Sequence, residues 1–409
     1  MSQLIVKEFG AIKDATIEIK KYNFFIGHTS SGKSTMAKLV SIFNNIDFWS
    51  IKEGDFDSFR ELLKKYNIDF KFNDSTLIKY SNEKYFWEIK DNVFHSNYED
   101  ADLMEAASNT DSLTFYLKFI DKKKNDASLS TFVKNLEKLL DKRKGLNTDS
   151  NTILEILKPG LIGLLYEECT PVYIPAERLL ITTFSNSIFS LLKAGASIPE
   201  CIKDFGSLYE KARNKYNKID IDILNIRVSF DNKGDKVYLN EDNTELDLSQ
   251  TSSGIQSIIP LWTVFNQYAD NKKRQMLVIE EPELNLFPTT QYLLIDWIMS
   301  KMKQSNSGSI VITTHSPYIL SVIDNLILAQ DITVKKRNRD TSLKVKELIP
   351  SMGLIKFEEV SSYFFNSNGH VIDIRDIESR TIGAEYIDEA SNKLGYIFDE
   401  LCKIDQDEL

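Results

Sequence analysis

The sequence contains one glycine-rich segment of high specificity, Gly27-His28-Thr29-Ser30-Ser31-Gly32-Lys33-Ser34-Thr35, GHTSSGKST. It matches the phosphate-loop pattern G-x-x-x-x-G-K-[ST] at every fixed position. The apolar run Phe24-Phe25-Ile26 precedes it, and residues at helical spacing follow it from Met36. A phosphate loop needs this order of strand, glycine loop and helix. With only 16 glycines in 409 residues, a chance match in an ordinary turn is a weak alternative.

Each residue type in such a loop has a defined task. Gly27 and Gly32 permit a turn in which backbone N–H groups face phosphate oxygens. Lys33 reaches the terminal phosphates, and the Ser34 hydroxyl ligates Mg2+. The following helix adds the positive end of its dipole. Residues 27–35 therefore predict binding of a nucleoside triphosphate, with ATP and Mg2+ as the expected ligands.

A second buried run, Met276-Leu277-Val278-Ile279, ends in two carboxylates, Glu280 and Glu281. Ligands of open α/β sheets bind at the carboxyl ends of the strands. We expect Glu280 to hold the magnesium shell and Glu281 to orient and polarise a water molecule in line with the γ-phosphate. An acidic strand end facing solvent is the alternative, and Glu283 is as easily a surface acid as a site residue.

A third buried run, Ile310-Val311-Ile312, leads through two threonines to His315. A lone histidine at a strand end is more often a structural hydrogen-bonding group than a catalytic one. The chain has only four histidines, and this one follows a strand of the same kind as the other motifs. We therefore expect His315 to reach the γ-phosphate and the attacking water.

A fourth segment, Leu248 to Ser257, reads LSQTSSGIQS and opens a helix that carries Leu261 and Trp262. A helix start with serine and glycine can bind an anion, and a plain capping motif has the same appearance. On its own the segment favours the cap.

In this order, GHTSSGKST, TSSGIQS, LVIEEPELNLFP and ITTHSPY, the sequence resembles the ABC-class ATPases of the SMC, RecF and OLD kind. The resemblance implies an ABC-type ATPase head of the α/β class, with a parallel phosphate-loop sheet and an antiparallel β subdomain. It implies that Glu281 and His315 are catalytic. It also places Ser252, Ser253 and Gly254 where the signature motif of that family stands.

Heads of that family work as homodimers, with each nucleotide between the phosphate loop of one subunit and the signature of the other. By resemblance, Ser252 and Gly254 contact the γ-phosphate of the second copy. Leu284-Asn285 falls in the loop that crosses the interface, and Pro175-Ala176-Glu177-Arg178 lies near the nucleotide. Assembly beyond the dimer stays open.

The sequence departs from the family pattern at several positions. Glu280 stands where many relatives have aspartate, Ser253 replaces the middle glycine of the signature, and His28 stands where asparagine is common. His28 is either a tolerated loop variant or an adjustment of the γ-phosphate environment. No clear glutamine loop is visible.

Composition shifts divide the chain into three predicted parts. The head comprises residues 1–45 and 166–335, and an inserted, mainly helical lid lobe takes 46–165, with helical spacing at 129–144 and 152–166. Short strand signals at 226–230, 236–239 and 245–248 form the β subdomain. A β-α extension, 336–409, includes the acids Asp373, Asp376 and Glu378 and a helix over 386–404.

The formal charge of −10 and a pI near 5.2 argue against a protein that coats nucleic acid with its whole surface, although a local contact with nucleic acid stays open. The chain lacks a run of about 18 apolar residues and a signal-peptide pattern. Three cysteines without C-x-x-C spacing support neither a zinc site nor a disulfide framework. We expect a cytoplasmic protein without a membrane contact.

Two functions fit the resemblance. One is the ATPase of a bacterial anti-phage defence complex, similar to the Septu and OLD-like groups, that controls a separate nuclease or toxin. The other is a RecF-like or SMC-like DNA-repair clamp. A self-contained nuclease is disfavoured, because the residues after Arg337 scarcely hold a Toprim domain and show no convincing metal cluster.

Overall fold

A computed structural model gives the fold. It describes residues 2–97, except 50, 52 and 84, and residues 170–383, with gaps at 184–192, 194, 196, 232–233, 240–243, 271–274, 306–307 and 337–338, as well as 396, 397 and 399. Within these ranges no helix is long and apolar enough to span a bilayer. The helices predicted at 129–144 and 152–166, and most of that at 386–404, lie outside the described residues.

The described residues contain seventeen strands. Six precede residue 97: β1 (Ser2–Phe9), β2 (Ile12–Ile19), β3 (Tyr22–Gly27), β4 (Leu77–Ser81), β5 (Phe86–Lys90) and β6 (Val93–Ser96). The others are β7 (Val172–Ile174), β8 (Lys218–Ile221), β9 (Ile226–Ser229), β10 (Lys236–Leu239), β11 (Thr244–Asp247), β12 (Leu277–Glu280), β13 (Ile310–Thr314), β14 (Val360–Phe365), β15 (Val371–Asp373), β16 (Arg375–Asp376) and β17 (Thr381–Ile382).

Nine α-helices occur in the same residues. They are α1 (Lys33–Phe43), α2 (Ile46–Trp49), α3 (Phe56–Lys65), α4 (Leu179–Thr183), α5 (Glu200–Lys215), α6 (Ser253–Asp270), α7 (Pro288–Ser305), α8 (Pro317–Lys335) and α9 (Arg339–Leu348). The buried runs at 276–279 and 310–312 correspond to strands β12 and β13, and the segment at 248–257 leads into helix α6, which carries Leu261 and Trp262.

A six-stranded sheet carries the phosphate loop, in the order β15-β14-β3-β13-β12-β7. All its strands are parallel except β15, which pairs antiparallel with β14 at one edge. Phe24 and Ile26 of β3 belong to one apolar core, and Phe25 between them belongs to a second. Because both faces of the sheet are covered, its strands show no polar alternation. The predicted α/β class is confirmed.

The two cores lie on opposite faces of this sheet. One contains apolar residues of α6, α7 and α8, and the other contains those of α1 together with β1 and β2. The layers therefore place α1, which follows the phosphate loop, between the parallel sheet and an antiparallel sheet.

That antiparallel sheet corrects the predicted lobe boundary at residue 45. It has the order β2-β1-β4-β5-β6, so residues 77–96 belong to the same sheet as β1 and β4 pairs directly with β1. Aromatic packing fixes this arrangement: the ring of Phe43, at the end of α1, stacks on Tyr80 at 5.0 Å and meets Phe48 edge-on at 4.6 Å. The described part of the predicted helical lobe is thus part of the head and includes three strands.

A four-stranded antiparallel sheet, β11-β10-β9-β8, forms the predicted β subdomain. The three strands predicted there correspond to β9, β10 and β11, which pair antiparallel in chain order. The sequence did not indicate β8, which pairs with β9 at the edge of the sheet.

The C-terminal segment also differs from the predicted division at residue 335. Its strand β14 pairs along the whole length of β3, so it completes the sheet of the head. Asp373 pairs with Arg375, and Asp376 accepts hydrogen bonds from the backbone N–H groups of Glu378 and Ser379. The described residues contain no cluster of three or more histidine, cysteine, aspartate and glutamate side chains with the spacing of a metal site, so these C-terminal acids do not form one.

Buried Asn23 connects three strands of the central sheet. Its Nδ2 donates to the carbonyl oxygens of Lys20 and Ile310, both at 2.8 Å. Its Oδ1 accepts from the Lys20 N–H and the Ser361 hydroxyl, both at 2.7 Å. The side chain is 1% exposed, so water cannot replace these bonds. Asn23 therefore fixes β3 between β13 and β14.

We expect Asn23→Ala to lower the free energy of unfolding by about 2–4 kcal/mol, because buried partners lose their hydrogen bonds. Chemical denaturation measures this change. Exposed Asn368→Ala is the control and should stay within about 0.5 kcal/mol of the wild type. Equal stability of Asn23→Ala and the control would show that the network does not hold the sheet.

Candidate nucleotide site

The phosphate loop begins at the end of β3 and ends at the first residues of α1. Gly27 has a φ of 148°, and a Cβ there would overlap the carbonyl oxygen of Phe365 in β14. Gly32 has a φ of 99°, and its Cβ would lie 2.5 Å from Ile12 Cγ1. Both conformations strongly favour glycine. The two glycines of the motif are therefore required by neighbouring strands as well as by the loop.

Lys33 lies inside the loop. Its Nζ donates to the carbonyl oxygens of Gly27 at 3.0 Å and His28 at 2.6 Å, and it is 3.5 Å from His315 Nδ1. Burial lowers the pKa of the ammonium to about 8. The structure thus places Lys33, which is predicted to bind phosphate, next to His315, the predicted catalytic histidine.

The other loop residues divide into exposed and buried positions. His28, Thr29 and Ser30 are exposed, whereas Ser31 and Thr35 are buried. Ser31 Oγ donates to the His28 carbonyl at 2.7 Å and so stabilises the turn.

His28 is held by β14. Its N–H donates to the Phe365 carbonyl at 3.2 Å, and its ring meets Phe364 edge-on at 5.7 Å. This contact gives a packing reason for the histidine that the sequence left unexplained.

The parallel pairing of β12 and β13 brings the predicted catalytic residues, Glu281 and His315, to the same edge of the sheet. Glu280 lies opposite Thr313 in the β12–β13 register, and the Glu281 N–H donates to the Thr313 carbonyl at 2.9 Å. Glu281 Oε1 then lies 3.3 Å from His315 Nε2. The hydrogen bond from His315 is the main reason that the pKa of Glu281 lies below its usual value.

The backbone of Glu281 is in a left-handed conformation, with a φ of 43°. Such a conformation is costly for a residue with a long side chain and is seen mainly where surrounding contacts enforce it. It turns the chain directly after β12, at the point where the carboxylate meets His315.

Glu280 is 2% exposed at the end of β12. Burial raises the pKa of its carboxyl, and nearby Lys38 and the hydroxyls of Tyr173 and Ser34 offset the rise only in part. Within the described residues, Oε1 has no hydrogen-bond partner of good geometry. A buried carboxylate oxygen without a partner, beside the Ser34 hydroxyl, fits the oxygen ligands that Mg2+ prefers.

Glu283 is buried, 8% exposed, and is not a surface acid. Its Oε1 accepts from Thr314 Oγ1 at 2.7 Å and from the His315 N–H at 2.8 Å. Burial raises the pKa of this carboxyl too. Glu283 therefore holds the backbone that follows β13 and carries His315, which we call the histidine loop.

Ser252, Ser253 and Gly254 lie at the start of α6. Ser252 Oγ accepts from the Ile255 N–H at 3.4 Å, a loose cap. A Cβ on Gly254 would lie 2.7 Å from the Asn285 carbonyl oxygen, so this glycine allows the helix start to contact the loop at 284–285. In the described part of the chain, no hydrogen bond joins these residues to the phosphate loop.

Arg178 was not singled out by the sequence, although its segment was expected near the nucleotide. The side chain is fully buried and donates to five carbonyl oxygens, those of Ser257, Pro175, Glu280, Glu281 and Pro282. In the sequence, the P-A-E-R segment after β7 is what points to Arg178. This segment does not show that the arginine bonds to backbone carbonyls.

A glycine loop between strand and helix, a buried metal-type carboxylate and a paired glutamate and histidine together define a P-loop ATPase. The family model described as AAA ATPase domain matches residues 1–320. The chain belongs to this family. No curated protein sequence matches the chain significantly.

Solved structures of similar fold include two SMC head domains. The head from Pyrococcus furiosus, with an extended coiled coil and bound to the C-terminal domain of ScpA, has 12% identity and a TM-score of 0.37, covering 97% of this chain and 100% of that one. The head from Thermotoga maritima has 12% identity and a TM-score of 0.35, covering 78% and 90%.

A dimeric ATP-binding cassette in a post-hydrolysis state, bound to ADP and Pi, has 11% identity and a TM-score of 0.32, covering 92% of this chain and 100% of that chain. At such identities and TM-scores, the likeness to all three structures gives no information on substrates or partners.

We expect Lys33→Ala to weaken ATP binding by about 10- to 100-fold, because it removes a charge-assisted contact to the phosphates. Isothermal titration calorimetry of the purified chain measures the affinity. Lys64→Ala, at an exposed lysine of α3, is the matched control. Unchanged affinity in Lys33→Ala would remove residues 27–35 as the phosphate site.

A pair of variants tests Glu283. Glu283→Gln retains an oxygen that can accept from Thr314 and His315, whereas Glu283→Ala leaves both donors unpaired. We expect the alanine variant to lose about 10- to 100-fold in kcat, since displaced catalytic groups are this costly, and the glutamine variant to retain most activity. Steady-state phosphate release distinguishes them, and equal rates would exclude a positioning role.

Proposed function

We propose that the chain is an ATP-hydrolysing switch of the ABC type, which closes as a homodimer around two ATP molecules. In each site, the phosphate loop, Glu281 and His315 come from one copy, and Ser252, Ser253 and Gly254 come from the other. The observation that carries the proposal is the placement of the signature: Gly254 lies against the loop at 284–285, and among the described residues no hydrogen bond joins the signature to the phosphate loop of its own chain.

Exposed aromatic side chains beside the site support a docking face. Phe287, two residues after the loop at 284–285, is 73% exposed, and Tyr318, three residues after His315, is 51% exposed. Large aromatic residues at this exposure are enriched where proteins associate. A second copy of the chain would cover them.

The proposed hydrolysis relies on residues already in contact. Glu281, kept ionised by its hydrogen bond from His315, orients and polarises the attacking water. Lys33 and the N–H groups of the phosphate loop bind the terminal phosphates. Glu280 and Ser34 would hold Mg2+, which neutralises negative charge on the phosphates when bound.

We further propose that this switch is the ATPase subunit of a bacterial anti-phage defence complex and controls a separate nuclease or toxin. Support comes from the sequence resemblance of the E-E-P-E-L-x-L and I-P-A-E-R segments to Septu-type and OLD-like ATPases. A cytoplasmic location would follow from that role.

The alternative is a RecF-like or SMC-like clamp that binds DNA. The order of the four motifs is the same in those proteins. The clamp requires ATP-dependent binding of duplex DNA with a steep dependence on salt. The defence role instead requires a stable complex with another protein, which purification of the native complex from its source would recover.

We expect Glu281→Gln to form an ATP-bound dimer, because the amide cannot polarise water while the contacts between copies remain. Size-exclusion chromatography with light scattering gives the mass with and without ATP. The double variant Glu281→Gln with Lys33→Ala is the control and should stay monomeric. A monomer of Glu281→Gln in saturating ATP and Mg2+ would overturn the dimer proposal.

A further inference from the structure

Arg178 hydrogen-bonds to two parts of the chain that have different tasks in the proposed dimer. Its Nη1 donates to the Glu280 carbonyl at 2.8 Å, and its Nη2 donates to Glu281 at 2.8 Å and Pro282 at 3.4 Å. These three carbonyls belong to the turn that carries the catalytic carboxylate. Its Nε donates to the Ser257 carbonyl at 3.1 Å, on α6.

The guanidinium thus bridges the catalytic turn and the signature helix. In the proposed dimer, the catalytic turn acts on the ATP bound by its own chain. The start of α6, a few residues before Ser257, acts on the ATP bound by the second copy. A displacement of α6 at one ATP therefore reaches Glu281 at the other ATP through a single side chain.

Two further contacts run alongside this bridge. Thr182 Oγ1, in the helix α4 that begins directly after the arginine, shares its hydrogen between the carbonyl of Leu179 at 3.0 Å and the Gln256 carbonyl of α6 at 3.2 Å. At the opposite end, the Gly254 backbone packs on the Asn285 carbonyl. The signature helix α6 is consequently contacted on two sides, by α4 and by the loop at 284–285.

We propose that Arg178 is a positioning residue that couples the two ATP sites of the dimer, by fixing the backbone of Glu281 relative to the signature helix of the same chain. The inference rests on the proposed homodimer. Arg178 acts through Glu281 and the signature and touches neither ATP itself.

The side-chain chemistry suits this task. An arginine presents five donors in a rigid plane, whereas a lysine has one point charge with three donors on a flexible stem. All five hydrogen-bond acceptors of Arg178 are backbone carbonyls, so the contacts define backbone position. One of them is the carbonyl of Glu281, whose left-handed φ of 43° needs such support.

The test begins with Arg178→Lys, which keeps the positive charge but cannot reach Ser257 and the catalytic turn together. We expect kcat to fall about 10- to 100-fold, because Glu281 loses its fixed position and a displaced catalytic group costs this much in rate. The affinity of the phosphate loop for ATP should be unchanged. Arg213→Lys, which alters a partly buried arginine bound to Asp235, is the matched control. An arginine with only a structural role would lower stability and leave kcat of the folded protein unchanged.

A double-mutant cycle tests the coupling itself. Ser252→Ala impairs the signature, and its effect on kcat is measured twice, once in the wild-type background and once in the Arg178→Lys background. If the signature acts through Arg178, the double variant is about as slow as the slower single variant. If the rate loss of the double variant instead equals the product of the two single losses, Arg178 and Ser252 act independently, and the proposal is overturned.

Two measurements keep the outcome unambiguous. If Arg178→Lys does not fold, Arg178→Gln, which is neutral and retains only two donors, is measured in its place, and a rate equal to wild type would overturn the proposal. ATP-dependent dimerisation of Glu281→Gln is measured separately. If that dimer does not form, the proposed function fails; if it forms and the cycle shows independence, only the role of Arg178 fails.

Discussion

The site depends on the parallel pairing of β3, β13 and β12, which aligns the carboxyl ends of three buried strands at one edge of the sheet. The phosphate loop leaves β3, the histidine loop leaves β13, and the catalytic turn leaves β12. Asn23 locks β3 to both of its neighbours, so the register that aligns these ends is fixed from within the core. Strand β14 adds the carbonyl of Phe365, against which Gly27 and His28 lie.

Several buried ionisable side chains lie at the carboxyl ends of these strands. Burial raises the pKa of Glu280 and Glu283 and lowers that of Lys33 to about 8 and that of Arg178 to about 10. Glu281 differs from the other two acids, because the hydrogen bond from His315 lowers its pKa. Desolvating such groups costs several kcal/mol per ion, so each of them needs the polar partners that the site provides. In the proposed mechanism, Glu281 is the carboxylate that meets the attacking water.

The motifs at strand ends were predictable, because strand, turn and helix each leave a local pattern and adjacent parallel strands bring such ends together. The burial of Glu283 was not predictable, since its partners, Thr314 and the His315 N–H, are about 30 residues away and one is a backbone group. Arg178 is the stronger case: its acceptors in the catalytic turn are carbonyls 102 to 104 positions along the chain. The pairing of β4 with β1 was also missed, because nothing local marks which strand a distant segment will pair with.

We propose that each ATP site is shared between two copies of the chain. Cysteine cross-linking tests it most directly, with Ser252→Cys in one copy, Thr29→Cys in the other, and the native cysteines replaced by serine in a Glu281→Gln background. Because a disulfide requires Cα atoms within about 7 Å, a shared site should give a covalent dimer of the two different chains in ATP and mild oxidant. Without nucleotide, no such dimer is expected. Equal cross-linking with and without ATP, or none in saturating ATP, would show that the site is not shared.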